Sequence, residues 1–312
     1  MNGHARKVVA LCGGVGGAKL AYGLNRILGS RLTVIVNTGD DFEHLGLTIC
    51  PDLDTVVYTL SELADDQRGW GRAGESWNFM EALGEFGGDV WFRLGDRDLA
   101  LHVLRSRALR AGRSLTEFTG DLATRLQIRA TILPMTDTPF STMVVTPLGR
   151  LSFQRYFVEF QAQPEVRGIE FENTGAATAA EGVLRVIGEA DAIILCPSNP
   201  YLSIDPILAV PGVLPALQAA AAPIIAVSPL VGGQAVKGPT AKIMQELGVE
   251  TNCISIVRHY PFLDGLVMDK VDEADAPRID VPVHLTQTVM RSKDERVRLA
   301  QECLDFLGRF CS

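Results

Sequence analysis

No two cysteines in this chain stand in C-x-x-C spacing, and the six present fall at no zinc-site interval. That leaves scattered, reduced, buried thiols as the expected state and argues against a disulfide framework or structural zinc. Basic charge is also in deficit. Lys and Arg number 29 against 37 Asp and Glu, a formal net charge of −8. A protein that coats nucleic acid needs a basic face to neutralise phosphates, so that class is excluded, although a small basic pocket is not. No apolar run is long enough to span a bilayer. The longest candidate, residues 206–231, is interrupted by Pro206, Pro211, Pro215, Pro223 and Pro229. The N-terminal apolar run stops at glycines and is too short for a signal peptide, so a cytoplasmic protein without a membrane partner is expected. G-x-S-x-G, H-E-x-x-H and Cys/His arrangements are missing, as are internal repeats and low-complexity tracts.

Glycine is present where it carries information. The apolar run Val8–Leu11 leads through Cys12 into Gly13-Gly14-Val15-Gly16-Gly17-Ala18-Lys19. Ala18–Leu28 follows with Leu20, Leu24, Ile27 and Leu28 at helical spacing, then the apolar run Leu32–Val36. This is a β-α-β unit whose turn lets backbone N–H groups approach an anion at a helix start. The loop is not a Walker A motif, because Ala18 precedes Lys19 and Leu20 follows it. It is not G-x-G-x-x-G either, because counting from Gly14 the last position is Lys19. A tight strand–helix turn without a ligand is the plain alternative.

Further strand signals at Ala192–Cys196, Ile224–Val227, Cys253–Val257 and Leu266–Met268 alternate with helical stretches at Val213–Ala221 and Thr240–Leu247. The pattern predicts an α/β fold: a Rossmann-like, doubly wound, mostly parallel sheet. Residues 1–60 and 181–312 would form this nucleotide-binding core. Residues 61–180 would be an α+β insertion over the strand carboxyl ends, with helices at Leu99–Leu109 and Ser114–Leu126. Strands are expected there at Ala130–Leu133, Ser141–Thr146 and Leu151–Tyr156. Four predicted strand ends carry polar or glycine-rich turns: Gly13–Gly17, Asn37–Asp41, Pro197–Pro200 and Ser228-Pro229. Ligand sites of open α/β sheets lie there, so the four turns point to one shared pocket.

Asn37-Thr38-Gly39-Asp40-Asp41 and Pro51-Asp52-Leu53-Asp54-Thr55 supply four aspartates near that pocket. Hard oxygen ligands beside phosphates suit Mg²⁺. Alternatively, Asp52 or Asp54 caps a helix over Thr55–Leu63. Arg93-Leu94-Gly95-Asp96-Arg97-Asp98 reads as an arginine-bearing loop that contacts an acceptor or phosphate, or as a solvated salt-bridge turn with Asp98 capping the next helix. Trp70, Trp77 and Trp91 read equally as a local core or as a wall against a flat heteroaromatic ligand.

Taken in order, these runs resemble one family, the 2-phospho-L-lactate transferases of coenzyme F-420 biosynthesis (CofD-like, FbiA in actinobacteria). The resemblance also rests on Arg68-Gly69-Trp70-Gly71, Leu133-Pro134-Met135-Thr136-Asp137, Ser203-Ile204 and Lys237-Gly238-Pro239, and spans nearly the whole chain. It implies a Mg²⁺-dependent transferase. The donor would be a guanosine diphosphate conjugate of lactate, enolpyruvate or glycerate, and the acceptor the ribityl hydroxyl of the 5-deazaflavin Fo. GMP would leave, and F-420-0 or an analogue would form. On this reading Asp40 and Asp41 are the catalytic, metal-holding acids. Asp54 and Arg93 match deazaflavin-binding positions, with Asp96 and Arg97 beside them. Gly13, Gly14, Gly16, Gly17, Lys19, Ser198, Asn199, Pro200, Ser228 and Gly238 line the donor nucleotide and its phosphates. The family suggests a homodimer. Two other classes stand beside it: an NAD-dependent oxidoreductase, weakened by the missing glycine and the paired acids, and a non-catalytic nucleotide-sugar-binding relative.

Overall fold

The computed structural model describes residues 6–236 and 238–310, so Lys237 of the last quoted run lies outside the described residues. In chain order the elements begin with β1 (Val8–Cys12), α1 (Gly14–Leu28) and β2 (Leu32–Val36). A hairpin follows, β3 (Phe42–His44) and β4 (Leu47–Ile49), then helices α2 (Pro51–Leu60), α3 (Asn78–Glu85), α4 (Asp96–Arg110) and α5 (Leu115–Arg125). Next come β5 (Thr131–Pro134), β6 (Ser141–Thr146), β7 (Gly149–Ser152), β8 (Gly168–Glu172), α6 (Val183–Gly188) and β9 (Ala192–Leu195). The chain continues through α7 (Asp205–Ala209), α8 (Val213–Ala219), β10 (Ile224–Val227) and the small hairpin β11 (Leu230–Val231) and β12 (Gln234–Ala235). It closes with α9 (Thr240–Glu246), α10 (Cys253–His259), β13 (Gly265–Asp269), β14 (Val283–Thr286) and α11 (Lys293–Leu307).

Seven strands form one sheet in the order β14-β13-β10-β9-β1-β2-β5, and every pairing is parallel. Parallel strands covered on both faces read as continuous apolar runs, and β1, β9, β10 and β13 are buried at every position. One apolar cluster joins α1, α2, α5 and α11 to one face; a second joins α6, α7, α8 and α10 to the other. The winding direction reverses between β1 and β9, which are hydrogen-bonded neighbours, so the crevice expected of a doubly wound sheet opens at their carboxyl ends.

Residues 61–180 contribute more than a cover. Thr131–Pro134 pairs with β2 as the edge of the central sheet. The separate three-stranded sheet β7-β6-β8 packs its apolar face on Leu202 and Ile243. Cys253–Val257, expected as a strand, is helix α10. Its apolar residues at 253, 254, 256 and 257 also fit a helical face, and Asn252 caps it by accepting from Ser255 N–H. The expected segment Leu151–Tyr156 is strand only to Ser152 and then turns at Arg155–Glu159. Ser114 caps α5 in a reciprocal capping box with Glu117. The described cysteines (Cys12, Cys50, Cys196, Cys253 and Cys303) are buried and unbridged. Among the described residues, no single helix is long and apolar enough to cross a membrane.

The glycine run departs most from its expected form. Helix α1 starts at Gly14, not Ala18, so Gly16 and Gly17 belong to its first turns. A Cβ on Gly16 would lie 2.4 Å from the Pro197 carbonyl oxygen, and one on Gly17 would lie 2.5 Å from Ser198 Oγ. Gly14 instead has φ +63° and open space around it. Two costs follow. Gly16→Ala collides with backbone and should lower stability by about 1–3 kcal/mol. Gly14→Ala meets only left-handed backbone strain and should cost about 1–2 kcal/mol. Urea unfolding of both variants checks this; a neutral Gly16→Ala would contradict the packing.

Candidate functional site

At the switch point the glycine turn is held by side chains from three directions. Gly13 N–H donates to Ser198 Oγ at 3.1 Å, and the Ser198 hydroxyl donates back to the Gly13 carbonyl at 2.7 Å. Gly14 N–H donates to Asp52 Oδ1 at 2.6 Å. Asp52 sits in the first turn of α2, yet its carboxylate serves the N-terminus of α1. It is therefore an anion already placed at the amide that a helix start offers. Asn37, at the end of β2, links the acids: its Nδ2 lies 3.0 Å from Asp52 Oδ2 and 3.3 Å from Asp40 Oδ1. Gln154 Nε2 donates to the other Asp40 oxygen at 3.1 Å.

The donors around Asp40 and Asp52 are thus amides, not cations, and the electrostatics reflect it. Burial, then the charges of Asp52 and Asp41, push the Asp40 acid well above the ordinary carboxylate range. Burial raises Asp41 as well, against a hydrogen bond from Cys50 and the charge of Arg105. Burial lifts Asp52 to about 6, with hydrogen bonds from Asn37 and Gly14 opposing. Three acids sharing one buried corner favour neutral forms unless a cation joins them. Buried polar atoms without partners gather in the same loops: Thr38 Oγ1, Asp41 Oδ1, Thr142 Oγ1 and Asn199 Nδ2. Such atoms are costly unless a ligand or water satisfies them. A hard cation fits this donor set: carboxylates in excess, one of their oxygens unpartnered, at the mouth of an anion-type turn.

Two residues further along α2, on the other side of the helix, Asp54 belongs to a second network. Both Arg105 Nη atoms reach its carboxylate, one of them at 3.2 Å. His102 lies between Asp54 (Nδ1 to Oδ2, 3.7 Å) and Asp98 (Nε2 to Oδ2, 3.3 Å), and the Tyr58 hydroxyl donates to Asp98. Asp98 therefore binds side chains instead of capping α4, whose first residue is Asp96.

Other expected site residues are committed elsewhere. Asp96 accepts from the Ser76 hydroxyl, Phe79 N–H, and the side chain and backbone of Asn78, which draws its pKa down to about 2 and caps α3. Arg97 is exposed, and its backbone N–H donates to Glu75. Arg93 stacks on Trp77 with 4.3 Å to the ring centroid; Arg68 lies 5.0 Å from both Trp70 and Trp77. The tryptophans divide: Trp70 pairs with Trp77, while Trp91 packs on Phe42, His44 and Phe92. Lys19 turns away from the glycines and donates to the Met290 carbonyl at 3.0 Å. Burial and the nearby Arg296 lower its pKa. With Val15, Thr55, Trp70 and Arg296 it lines a cavity of about 50 Å³ between α1, α2 and α11. Asn199 accepts from Tyr201 and Leu202 N–H, and the Pro200 carbonyl accepts from Tyr260. The Ser228 hydroxyl is held in its own turn and against Cys253, and Gly238, at φ +78°, meets no atom within 4 Å of an added Cβ.

Gln154 has no place in the sequence reading, and Asn37 enters it only through its strand-end turn. Asp52, read from sequence as a possible Mg²⁺ ligand or as a cap of its own helix, caps helix α1. For Gln154 no local signal exists, because it arrives from the end of β7.

The sheet order and its crevice define an α/β protein of the doubly wound kind. Residues 8–301 match the family described as 2-phospho-L-lactate transferase CofD, and the chain belongs to that family as a transferase. It is 39% identical over 311 residues to a phosphoenolpyruvate transferase of Kitasatospora aureofaciens, covering 94% of this chain and 97% of that one. It is 38% identical over 309 residues to a 2-phospho-L-lactate transferase of Methanosarcina acetivorans, covering 97% and 100%. Among solved structures, protein BH3568 of Bacillus halodurans superposes with a TM-score of 0.66 at 17% identity over 96% of this chain and 99% of that one, a likeness of fold alone.

The acid corner has a measurable consequence. The folded-state pKa of Asp52, about 6, exceeds its ordinary value of 3.8, so the folded protein keeps a proton that the unfolded chain releases. Stability from this group therefore falls as pH rises from about 4 to about 6. In chelator-treated protein, Asp52→Asn should flatten that part of the stability–pH curve; an unchanged slope would show that Asp52 is not a buried acid.

Proposed function

We propose that this transferase moves a phosphorylated three-carbon acid from a guanosine diphosphate conjugate to the ribityl hydroxyl of the deazaflavin Fo. GMP is released, and F-420-0 or its dehydro or glyceryl analogue forms. The observation that carries the reading is the buried acid corner at the β1/β9 switch point, with unpartnered polar atoms around it. Phosphoryl-type transfer needs mainly positioning and neutralised charge, and this corner supplies both. The attacking hydroxyl forms the new O–P bond, the bond from phosphorus to the GMP oxygen breaks, and the hydroxyl proton passes to a carboxylate. Asp41, whose Oδ1 has no partner, would accept that proton. Asp40, steadied by Gln154 and Asn37, stands beside it.

Asp40 and Asp41 would hold Mg²⁺, which supplies positive charge against the donor diphosphate. The N–H groups of Gly13 and Gly14 are held by Ser198 and Asp52, so the donor phosphates would approach the turn from the open face of Gly14, with Asn199 Nδ2 an unpartnered donor on the nucleotide side. Asp54 and Arg93 serve the acceptor, the guanidinium already lying over Trp77. The acid carried by the donor is left as a class. Relatives named for phosphoenolpyruvate and for 2-phospho-L-lactate stand at nearly equal identity to this chain.

Purified protein incubated with Fo, Mg²⁺ and each guanosine donor should yield GMP and the F-420-0 species by mass spectrometry. Asp40→Asn should lower turnover by about a hundredfold or more while the unfolding midpoint is retained. Wild-type turnover in that variant, or full activity in chelator, would remove the metal role from Asp40.

A further inference from the structure

The inner face of helix α4 is mixed. Val103 and Leu104 are about half exposed, whereas Leu101 joins the apolar core and His102, Arg105 and Ser106 are buried beside it against α2 and the β3–β4 hairpin. Burying a guanidinium at 2% exposure is costly, and Arg105 Nε has no partner, so its two Nη atoms carry the compensation. Arg105 forks onto Asp54 with both Nη atoms and also donates to the Thr48 carbonyl at 3.2 Å. The registers match. Asp54 and Tyr58 stand four apart on α2; Asp98, His102 and Arg105 stand four and three apart on α4, so each set shares one face. Part of the inner face of α4 is thus given over to polar side chains that hold one carboxylate, Asp54, on two sides. A planar guanidinium fixes both the position and the plane of a carboxylate, which an ammonium does not. The bonded Asp54 oxygens keep lone pairs for a further donor.

Resting on the transfer reaction proposed above, we propose that Arg105 is a positioning residue, whose guanidinium fork orients the Asp54 carboxylate toward the deazaflavin acceptor. His102 closes the other side of that carboxylate through Asp98 and Tyr58. Arg105 touches neither substrate. Its charge also reaches Asp41, but of the two carboxylates its fork holds Asp54 alone, so a substitution that keeps the charge and loses the fork acts on the acceptor side.

Steady-state kinetics on wild type, Arg105→Lys and Asp54→Asn test this. Arg105→Lys keeps the charge but loses the fork. The acceptor KM should rise about tenfold or more, with donor KM within about twofold of wild type. The double variant Arg105→Met with Asp54→Asn leaves no unpaired buried charge and should fold. Its acceptor KM should be no worse than that of Asp54→Asn alone, because the two residues act as one unit. An unchanged acceptor KM in Arg105→Lys overturns the proposal. So does a parallel rise in both KM values with a lowered melting temperature, the mark of a purely structural arginine. Additive losses in the double variant overturn it too. If wild type neither binds nor converts the deazaflavin, the transfer reading itself falls, and the role of Arg105 falls with it.

Discussion

Everything at the switch point depends on how closely the first turns of α1 approach the loop after β9. Gly16 meets the Pro197 carbonyl and Gly17 meets Ser198 and Cys12, with no room for a Cβ at either. That contact fixes where the amide of Gly14 points, and so where Asp52 must bring its carboxylate. Asn37 then ties Asp52 to Asp40, and Gln154 reaches in from the smaller sheet. Removing the close approach would displace the acids as well as the turn. The glycines are thus as much a packing device between two strands as a phosphate cradle, and Gly14 alone among them faces open space.

The electrostatic design has two halves with different answers to burial. Asp40 and Asp52 are bonded by neutral amides and drift toward their protonated forms. Asp54 receives a buried guanidinium. Burial still pushes the Asp54 acid up, and Arg105 and His102 oppose it. The first half has capacity for an incoming cation; the second is already neutralised and suits recognition by hydrogen bonds. On the proposed reading, metal holding and acceptor binding would be separated by only two residues of α2, Asp52 and Asp54.

Much of this was legible in the sequence for physical reasons. The apolar runs of β1 and β2 announce a parallel sheet because both faces are buried, and the polar turns at four strand ends mark the crevice. The Cys253 segment misleads because a run of five apolar and small residues satisfies both periods. Asp96 looked like a ligand residue because nothing local reveals that the N-terminus of α3, eighteen residues earlier, uses it. The inward faces of α2 and α4 carried a readable signal, Asp54 with Tyr58 and Asp98 with His102 and Arg105. It conflicts with the rule that helices bury their apolar stripe, and so it passed unread. What remained hidden is tertiary: Asp52 serving a helix other than its own, and Gln154 arriving from a different sheet.

The sheet order also bears on how the chain acquires its structure. Ala10 pairs with Ile194 at the centre of the sheet. During synthesis the first β-α-β unit must therefore wait, with one side of β1 unpaired, until β9 has emerged. Closing so long a loop is slow, and an unpaired apolar strand is exposed meanwhile. The early partner β2 and the helix packed behind it give β1 shelter on its other edge and one face. The candidate crevice thus lies at the seam where the early half of the chain, through β1, meets the late half, through β9.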